Sequence, residues 1–249
     1  MRPKKKWGQN FLRNRGAVDR IVAAVEPEPG ELVLEVGPGE GVLTEKLVAL
    51  GGDFLAWEID PELAARLRGK YGEAIVNVDA VEAPLPDRPF RAVGNLPYNV
   101  GTPILRRIIA DPHCRRAVFM LQKEVADRLV AKPGDEAYGY LTLFVQLYAK
   151  ARTLLTLDPG SFFPPPKVRS AVVVLDPDRK PFASEELNAL ISASFRMRRK
   201  KLLNNLVSYR NATREDVLTA MRTASIDDNA RAEEMSLEEF ERLRAAAAW

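Results

Sequence analysis

Asn95, Leu96, Pro97 and Tyr98 stand in a row within GNLPYNVGTP, Gly94 to Pro103, directly after the short apolar run that ends at Val93. An asparagine carboxamide oxygen and the next residue's backbone carbonyl are two acceptors that can hold the hydrogens of a single amine. The proline stiffens the loop, and the tyrosine offers a flat face to a planar ligand. No covalent nucleophile is needed for such a set to work. It holds an amine, draws on its hydrogens and aims its lone pair, so its chemistry is orientation plus polarisation. A capped strand-to-helix turn uses similar residue types, but these four together are more specific than a turn requires.

Three further features fall at neighbouring strand ends. LEVGPGEGVLTEKL places Gly37, Gly39 and Gly41 between a strand and its helix, where a backbone without β-carbons turns tightly and lets a ligand approach. The spacing is GxGxG, not the GxGxxG of dinucleotide binders, and no Lys-Ser or Lys-Thr follows as a phosphate-cradling loop requires. Glu58, in WEIDP, ends the next strand, where an acid accepts both ribose hydroxyls. Asp79, in NVDAVEAPLP, ends the third, where a carboxylate can accept from the amino group of an adenine. Either acid alone also reads as an exposed strand-end residue. Together with the glycine turn they predict an adenosine ligand without a pyrophosphate, S-adenosylmethionine in preference to NAD. Asn95 to Tyr98 then stand beside its methyl-bearing end. The exocyclic amine of a nucleobase is a poor nucleophile, because its lone pair is delocalised into the ring. Two acceptors on that amine hold the nitrogen nearer tetrahedral geometry.

These residues need a scaffold that brings several strand ends together. Between about residue 30 and residue 122, ELVLEV, DFLAWEI, EAIVNV, FRAVGNL and RRAVFML alternate with helical stretches such as GVLTEKLVAL and PELAARLRGK. Near-continuous apolar strands separated by amphipathic helices predict a parallel sheet covered on both faces. The expected fold is therefore α/β, a doubly wound, mostly parallel, Rossmann-like sheet with ligands at the carboxyl ends of the strands. After residue 150, TLLTLDPG and VRSAVVVL read as strands flanking the rigid loop SFFPPPK, and DPDRKP, Asp176 to Pro181, reads as a linker. Beyond it come only helices: SEELNALISASF, a basic segment through LLNNLVSY, REDVLTAMRTA, and a last helix opened by a capping box at Ser236 and Glu239. The expected division is a ligand-binding domain over residues 1–177 and a small helical domain over residues 178–249.

Composition narrows the function. The 249 residues are 46% hydrophobic with a net charge of +3, as in a soluble globular protein, and no apolar run is long enough to span a membrane. MRPKKKWGQNFL is basic like the start of a signal peptide but lacks the apolar core of one, so a cytoplasmic location is expected. One cysteine, Cys114, and one histidine, His113, provide neither a disulfide framework nor a set of soft ligands for zinc, and no metal is expected. Basic residues gather at Lys4 to Lys6, at Arg106 and Arg107, at Arg115 and Arg116, and most densely in RMRRKK, where Arg196, Arg198, Arg199, Lys200 and Lys201 point to a polyanionic partner.

GQNFL (Gly8 to Leu12), LEVGPGEGVLT, the acid in WEID, NVDA, GNLPYNVGTPIL, MLQKEVADRL, FFPPPKVRSAVVVL and, near the end, RAEEMSLEEF resemble the ribosomal RNA adenine N6-dimethyltransferases of the KsgA type. These enzymes act on two adjacent adenosines near the 3′ end of small-subunit (16S) rRNA. The resemblance implies that Asn10, Leu12, Gly37, Gly39, Glu58, Asp79 and Asn95 contact S-adenosylmethionine. It also implies that Asn95 and Leu96 hold the target amine, and that Tyr98 and Phe162 sandwich the flipped adenine. Phe163 departs from the pattern, since many relatives carry a small polar residue there, and it adds a second aromatic candidate. The resemblance implies small-subunit rRNA as partner, within an assembling subunit, and a monomeric enzyme. Two alternatives are a large-subunit rRNA adenine methyltransferase conferring antibiotic resistance and a non-catalytic nucleic-acid-binding assembly or transcription factor on the same fold. The intact Gly, Glu, Asp and Asn-Leu-Pro-Tyr positions argue against the latter.

Neutralising Arg196, Arg198, Arg199, Lys200 and Lys201 is expected to weaken RNA binding and to flatten its salt dependence by about one counterion per lost contact, with cofactor affinity unchanged. Binding isotherms over a salt series check this, and an unaltered slope would mark the stretch as merely solvated.

Overall fold

The computed structural model describes residues 3–4, 7–197 and 200–249. They form two compact units, one of residues 1–126 with 150–177 and the other of residues 127–149 with 178–249.

In the first unit, β1 (Phe11–Leu12) and α1 (Arg15–Val25) precede β2 (Leu32–Val36), α2 (Val42–Val48), β3 (Asp53–Glu58), α3 (Pro61–Tyr71) and β4 (Ile75–Asn77). The chain continues through β5 (Phe90–Asn95), α4 (Gly101–Ala110), β6 (Cys114–Gln122) and α5 (Lys123–Val130), contributes α6 (Tyr140–Tyr148) to the second unit, and resumes with β7 (Ala149–Leu157), β8 (Phe162–Phe163) and β9 (Ser170–Pro177). The seven-stranded sheet runs β4-β3-β2-β5-β6-β9-β7. Its first five strands pair in parallel and β9 joins β6 antiparallel. This is the doubly wound α/β sheet that the sequence predicts. Every residue of β2 is buried, as is β5 from Phe90 to Gly94, and for that reason both read as near-continuous apolar runs.

From β2 the chain winds outward through β3 to β4, then returns to the other side of β2 as β5. The carboxyl ends of β2 and β5 thus flank the point where the winding reverses, the place where open α/β sheets form their crevice. The two strands approach closely there. Gly94 lies opposite Val36, and a β-carbon at position 94 would stand 2.3 Å from the Val36 carbonyl oxygen. Below the sheet, Val18, Ile21, Val22 and Val25 of α1 pack with Val93 and Val118. The sequence reading did not single out α1, β1 or β8. Pro61 stands in the first turn of α3 as expected, behind Asp60, whose side chain accepts from the Glu62 amide.

The second unit continues with α7 (Glu185–Ser194), α8 (Leu202–Leu206), α9 (Arg214–Thr223) and α10 (Leu237–Ala246). Ser236 and Glu239 form the expected capping box on α10. Residues 127–149 pack here, whereas a division after residue 177 leaves them with the sheet. The reason lies in α6, which is apolar around most of its circumference and is covered by α7 and α10. Tyr138, fully buried, donates its hydroxyl to the Met235 carbonyl at 2.7 Å.

The sequence reads the basic segment through LLNNLVSY as helical. Among its described residues, Leu202–Leu206 is helical and Arg196 and Met197 lie in a turn. Asn205 holds that turn, accepting from the Met197 amide at 2.8 Å and donating to the Met197 carbonyl at 3.2 Å. Arg198 and Arg199 lie outside the described residues.

Gly94→Ala is expected to force β2 and β5 apart and destabilise the protein by about 1–3 kcal/mol, the scale of overpacking. Urea denaturation should show a lower midpoint at an unchanged m-value.

Candidate active site

A cleft opens at the carboxyl ends of β2 and β5, within the first unit. Its floor is the glycine turn. Gly37 and Gly39 line it, and the Gly37 amide donates to the Trp57 carbonyl at 2.9 Å. Gly39 has φ +58, and a β-carbon there would stand 3.1 Å from the Phe11 ring. Both the backbone angle and the close ring restrict the position to glycine.

Glu58, at the end of β3, is 4% exposed. One carboxylate oxygen accepts from the Gly39 amide and the other from the Asp60 amide, each at 2.9 Å. Burial raises its pKa, and the amide donors only partly offset that effect. Asp60 is fully buried and gathers Lys4 Nζ at 2.9 Å, Gln9 Nε2 at 2.9 Å and the Glu62 amide at 3.1 Å. Burial pushes its carboxyl up, but Lys4 and Gln9 outweigh it and hold the pKa below its ordinary value. In this way the N-terminal residues that line the cleft, Gln9 among them, are tied to the same strand end as Glu58.

Asn95 ends β5 on the opposite wall. Its Nδ2 donates one hydrogen to the Asn10 carbonyl at 2.8 Å, which fixes the orientation of the carboxamide and so the direction in which Oδ1 accepts. Leu96 is buried, with its amide bound to the Met120 carbonyl at 3.1 Å. Tyr98 lines the cleft, and its hydroxyl shares a 2.7 Å hydrogen bond with Ser170 Oγ, a fully buried group at the start of β9. That bond fixes the ring.

Asn10, Leu12, Gly37, Gly39, Glu58, Asn95, Leu96 and Tyr98 therefore meet around one cleft. Asp79 and Phe162 are not among its lining residues. The Asp79 carboxylate accepts from the Val81 amide at 2.8 Å and closes its own turn. Phe162 is 4% exposed and packs with Leu12, Val18 and Ile21, whereas Phe163 is 52% exposed. Arg196, Lys200 and Lys201 belong to the other unit. Sequence reasoning passed over Asp60, Ser170 and Glu35. An acid inside the otherwise apolar strand LVLEV was the available signal for Glu35, which is 1% exposed, lines the cleft and accepts from Thr44 Oγ1 at 2.7 Å.

The donor set suits a nucleoside with a short polar tail: a buried carboxylate at one strand end, a glycine turn without a phosphate-binding lysine, and space that a side chain at position 39 would fill. The sequence pattern of ribosomal RNA adenine dimethylase matches residues 1–248. The chain belongs to the ribosomal RNA adenine dimethylase family. Its activity is dimethylation of rRNA adenine, with S-adenosylmethionine as methyl donor. Ribosomal RNA small subunit methyltransferase A of Hahella chejuensis is 39% identical over 96% of this chain and 91% of its own. The protein of that name from Methylococcus capsulatus is 42% identical over 96% and 95%. The crystal structure of a dimethyladenosine transferase from Plasmodium falciparum superposes with a TM-score of 0.82 at 27% identity, covering 94% of this chain and 95% of that one. The 23S rRNA methyltransferase ErmE gives 0.74 at 29%, covering 96% and 100%.

Within this dimethylase, burial raises the pKa of Glu35 from 4.5 to about 8, against the Thr44 hydrogen bond and with a smaller contribution from the neighbouring Glu58. Between those values the folded chain keeps a proton that the unfolded chain has released. Stability contributed by this group is thus full below pH 4.5, falls as pH rises and is lost above about pH 8. Glu58 acts in the same direction, so the test is a difference. Glu35→Gln, neutral throughout, should gain thermal stability over the wild type progressively between about pH 5 and pH 8, as read by melting temperature. A pH-independent difference would refute a buried, protonated Glu35.

Proposed function

We propose that this chain dimethylates the N6 amines of two adjacent adenosines near the 3′ end of small-subunit (16S) rRNA, as a cytoplasmic monomer acting on an assembling small subunit. The observation that carries the reading is the Asn95 carboxamide, oriented by the Asn10 carbonyl on the wall of the cleft and next to Tyr98. Support for the small subunit comes from relatives named for it at 39% and 42% identity, above the 29% shared with ErmE.

In this reading Glu58 accepts from the ribose hydroxyls, the turn from Gly37 to Gly39 passes under the ligand, and Asn10 and Leu12 close over it. Asp79 holds the adenine amino group once its turn admits the ligand. S-adenosylmethionine supplies an electrophilic methyl group. The chain's own part is to hold the acceptor. The target base leaves its stack, lies against the Tyr98 ring and places its amine between Asn95 Oδ1 and the Leu96 carbonyl. Those two acceptors polarise the N–H bonds and aim the lone pair. Pro97 and the Tyr98–Ser170 hydrogen bond keep the loop from yielding, and fixed geometry of this kind is worth several kcal/mol in a bimolecular transfer. Phe162 backs the wall from the core. Arg196, Arg198, Arg199, Lys200 and Lys201 grip phosphates.

Asn95→Ala should depress the methyl-transfer rate far more than RNA affinity, because the interaction matters once the base is in place. Tyr98→Ala removes a stacking face worth about 1–3 kcal/mol per base and should also impair retention of the base. Single-turnover rates at saturating RNA and cofactor separate the two roles, and wild-type transfer by Asn95→Ala would end the catalytic reading. Mapping the methyl groups on both rRNAs tests the substrate. Product confined to large-subunit rRNA would favour the activity for which ErmE is named.

A further inference from the structure

β1 and β8 pair antiparallel, with Phe11 opposite Phe163 and Leu12 opposite Phe162. Directly opposed residues of a ladder project to the same face, and the next pair projects to the other. Leu12 and Phe162 enter the core together. Phe11 and Phe163 share the other face, where Phe11 lies against Gly39 and lines the cleft. Phe11 is covered, at 8% exposure, but Phe163 is 52% exposed.

Arg13 stands over this ring. Its guanidinium carbon lies 5.9 Å from the Phe163 ring centroid, and Nη2 holds Glu40 Oε2 at 2.7 Å. Glu40 in turn lines the cleft. The Arg13 amide donates to the Ser161 carbonyl at 2.7 Å, which ties its backbone to the segment entering β8. The arginine side chain is nonetheless 49% exposed. Exposed Lys167 and Arg169 follow Phe163 on the same loop, Arg169 paired with Asp158 at 2.9 Å. An open aromatic ring and a half-free guanidinium are thus held together at the edge of the cleft, and neither has a part in holding the target amine. Surrounding cations fit a polyanion better than an apolar protein segment.

We propose that Phe163 and Arg13 form a second nucleotide subsite, in which the base of an unpaired RNA nucleotide beside the target adenosine stacks on Phe163 and Arg13 meets its phosphate. The proposal rests on the rRNA-methylating reading given above. It assigns Phe163 to the grip on the strand leading to the active site. Aromatic faces bind unpaired bases with little regard to sequence, and a cation alongside neutralises the backbone.

The probe is a fluorescently labelled single-stranded oligoadenylate RNA, with affinity read by anisotropy over a salt series. Phe163→Ala should weaken binding about tenfold, the size expected for the loss of one base–aromatic stack, and Phe163→Trp should restore it. Arg13→Gln should lower the salt slope by about one counterion. Melting temperature and S-adenosylmethionine affinity should be unchanged in the Phe163 variants, because that ring is exposed and lies outside the cofactor contacts. Wild-type affinity in Phe163→Ala would overturn the subsite. So would a wild-type protein that does not bind the probe, or one that self-associates through Phe163 with no effect on RNA. Methylation of small-subunit rRNA by the wild type, measured in parallel, tells whether the parent reading stands when the subsite falls.

Discussion

The buried carboxylate of Glu58 ties the glycine turn, the start of α3 and the N-terminal segment into one wall. It takes the Gly39 amide on one oxygen and the Asp60 amide on the other, while Asp60 carries the links to Lys4 and Gln9. A carboxylate removed from water must be satisfied by directed donors, so the turn and the helix start have little freedom relative to β3. The cleft inherits its shape from that requirement. The raised pKa of Glu58 reflects the same burial and marks it as a group whose ionised form gains from further donors.

The other wall works by neutral hydrogen bonding. Asn95 donates one amide hydrogen to a backbone carbonyl, which fixes how its carboxamide is turned. Tyr98 is held by Ser170 from β9, the antiparallel neighbour of β6, so a strand remote in sequence sets the angle of the ring. Neither wall offers a nucleophile. The site has the character of a holder for two planar, polar ligands, in keeping with a reaction whose difficulty lies in presenting a weak amine to a methyl group.

In the second unit, polar side chains take the place of long regular structure. Asn205 closes the turn at Met197 from both sides, and Lys201 donates to Asn229 at 2.5 Å, so cations flanking a five-residue helix are held by specific contacts. Arg196 lies 6.0 Å from the Tyr209 ring, in reach of a cation–π contact.

By itself the sequence carried the parallel sheet, the alternation of its central strands with helices, and the glycine turn and Glu58 at two strand ends, because burial on both faces leaves continuous apolar runs and glycine, proline and acids punctuate their ends. It also carried Asn95 to Tyr98 and Glu58, which the folded chain brings to one cleft. Tertiary structure alone decided what depends on partners distant in the chain. Leu12 opposite Phe162 sends one phenylalanine into the core, while Phe11 opposite Phe163 leaves the other in the open, a difference of one residue in a ladder spanning some 150 positions. Ser170 behind Tyr98, Lys4 on Asp60, and α6 packing with the C-terminal helices are likewise invisible to local pattern. Periodicity reports whether a side chain is buried, and only the folded chain reports against what.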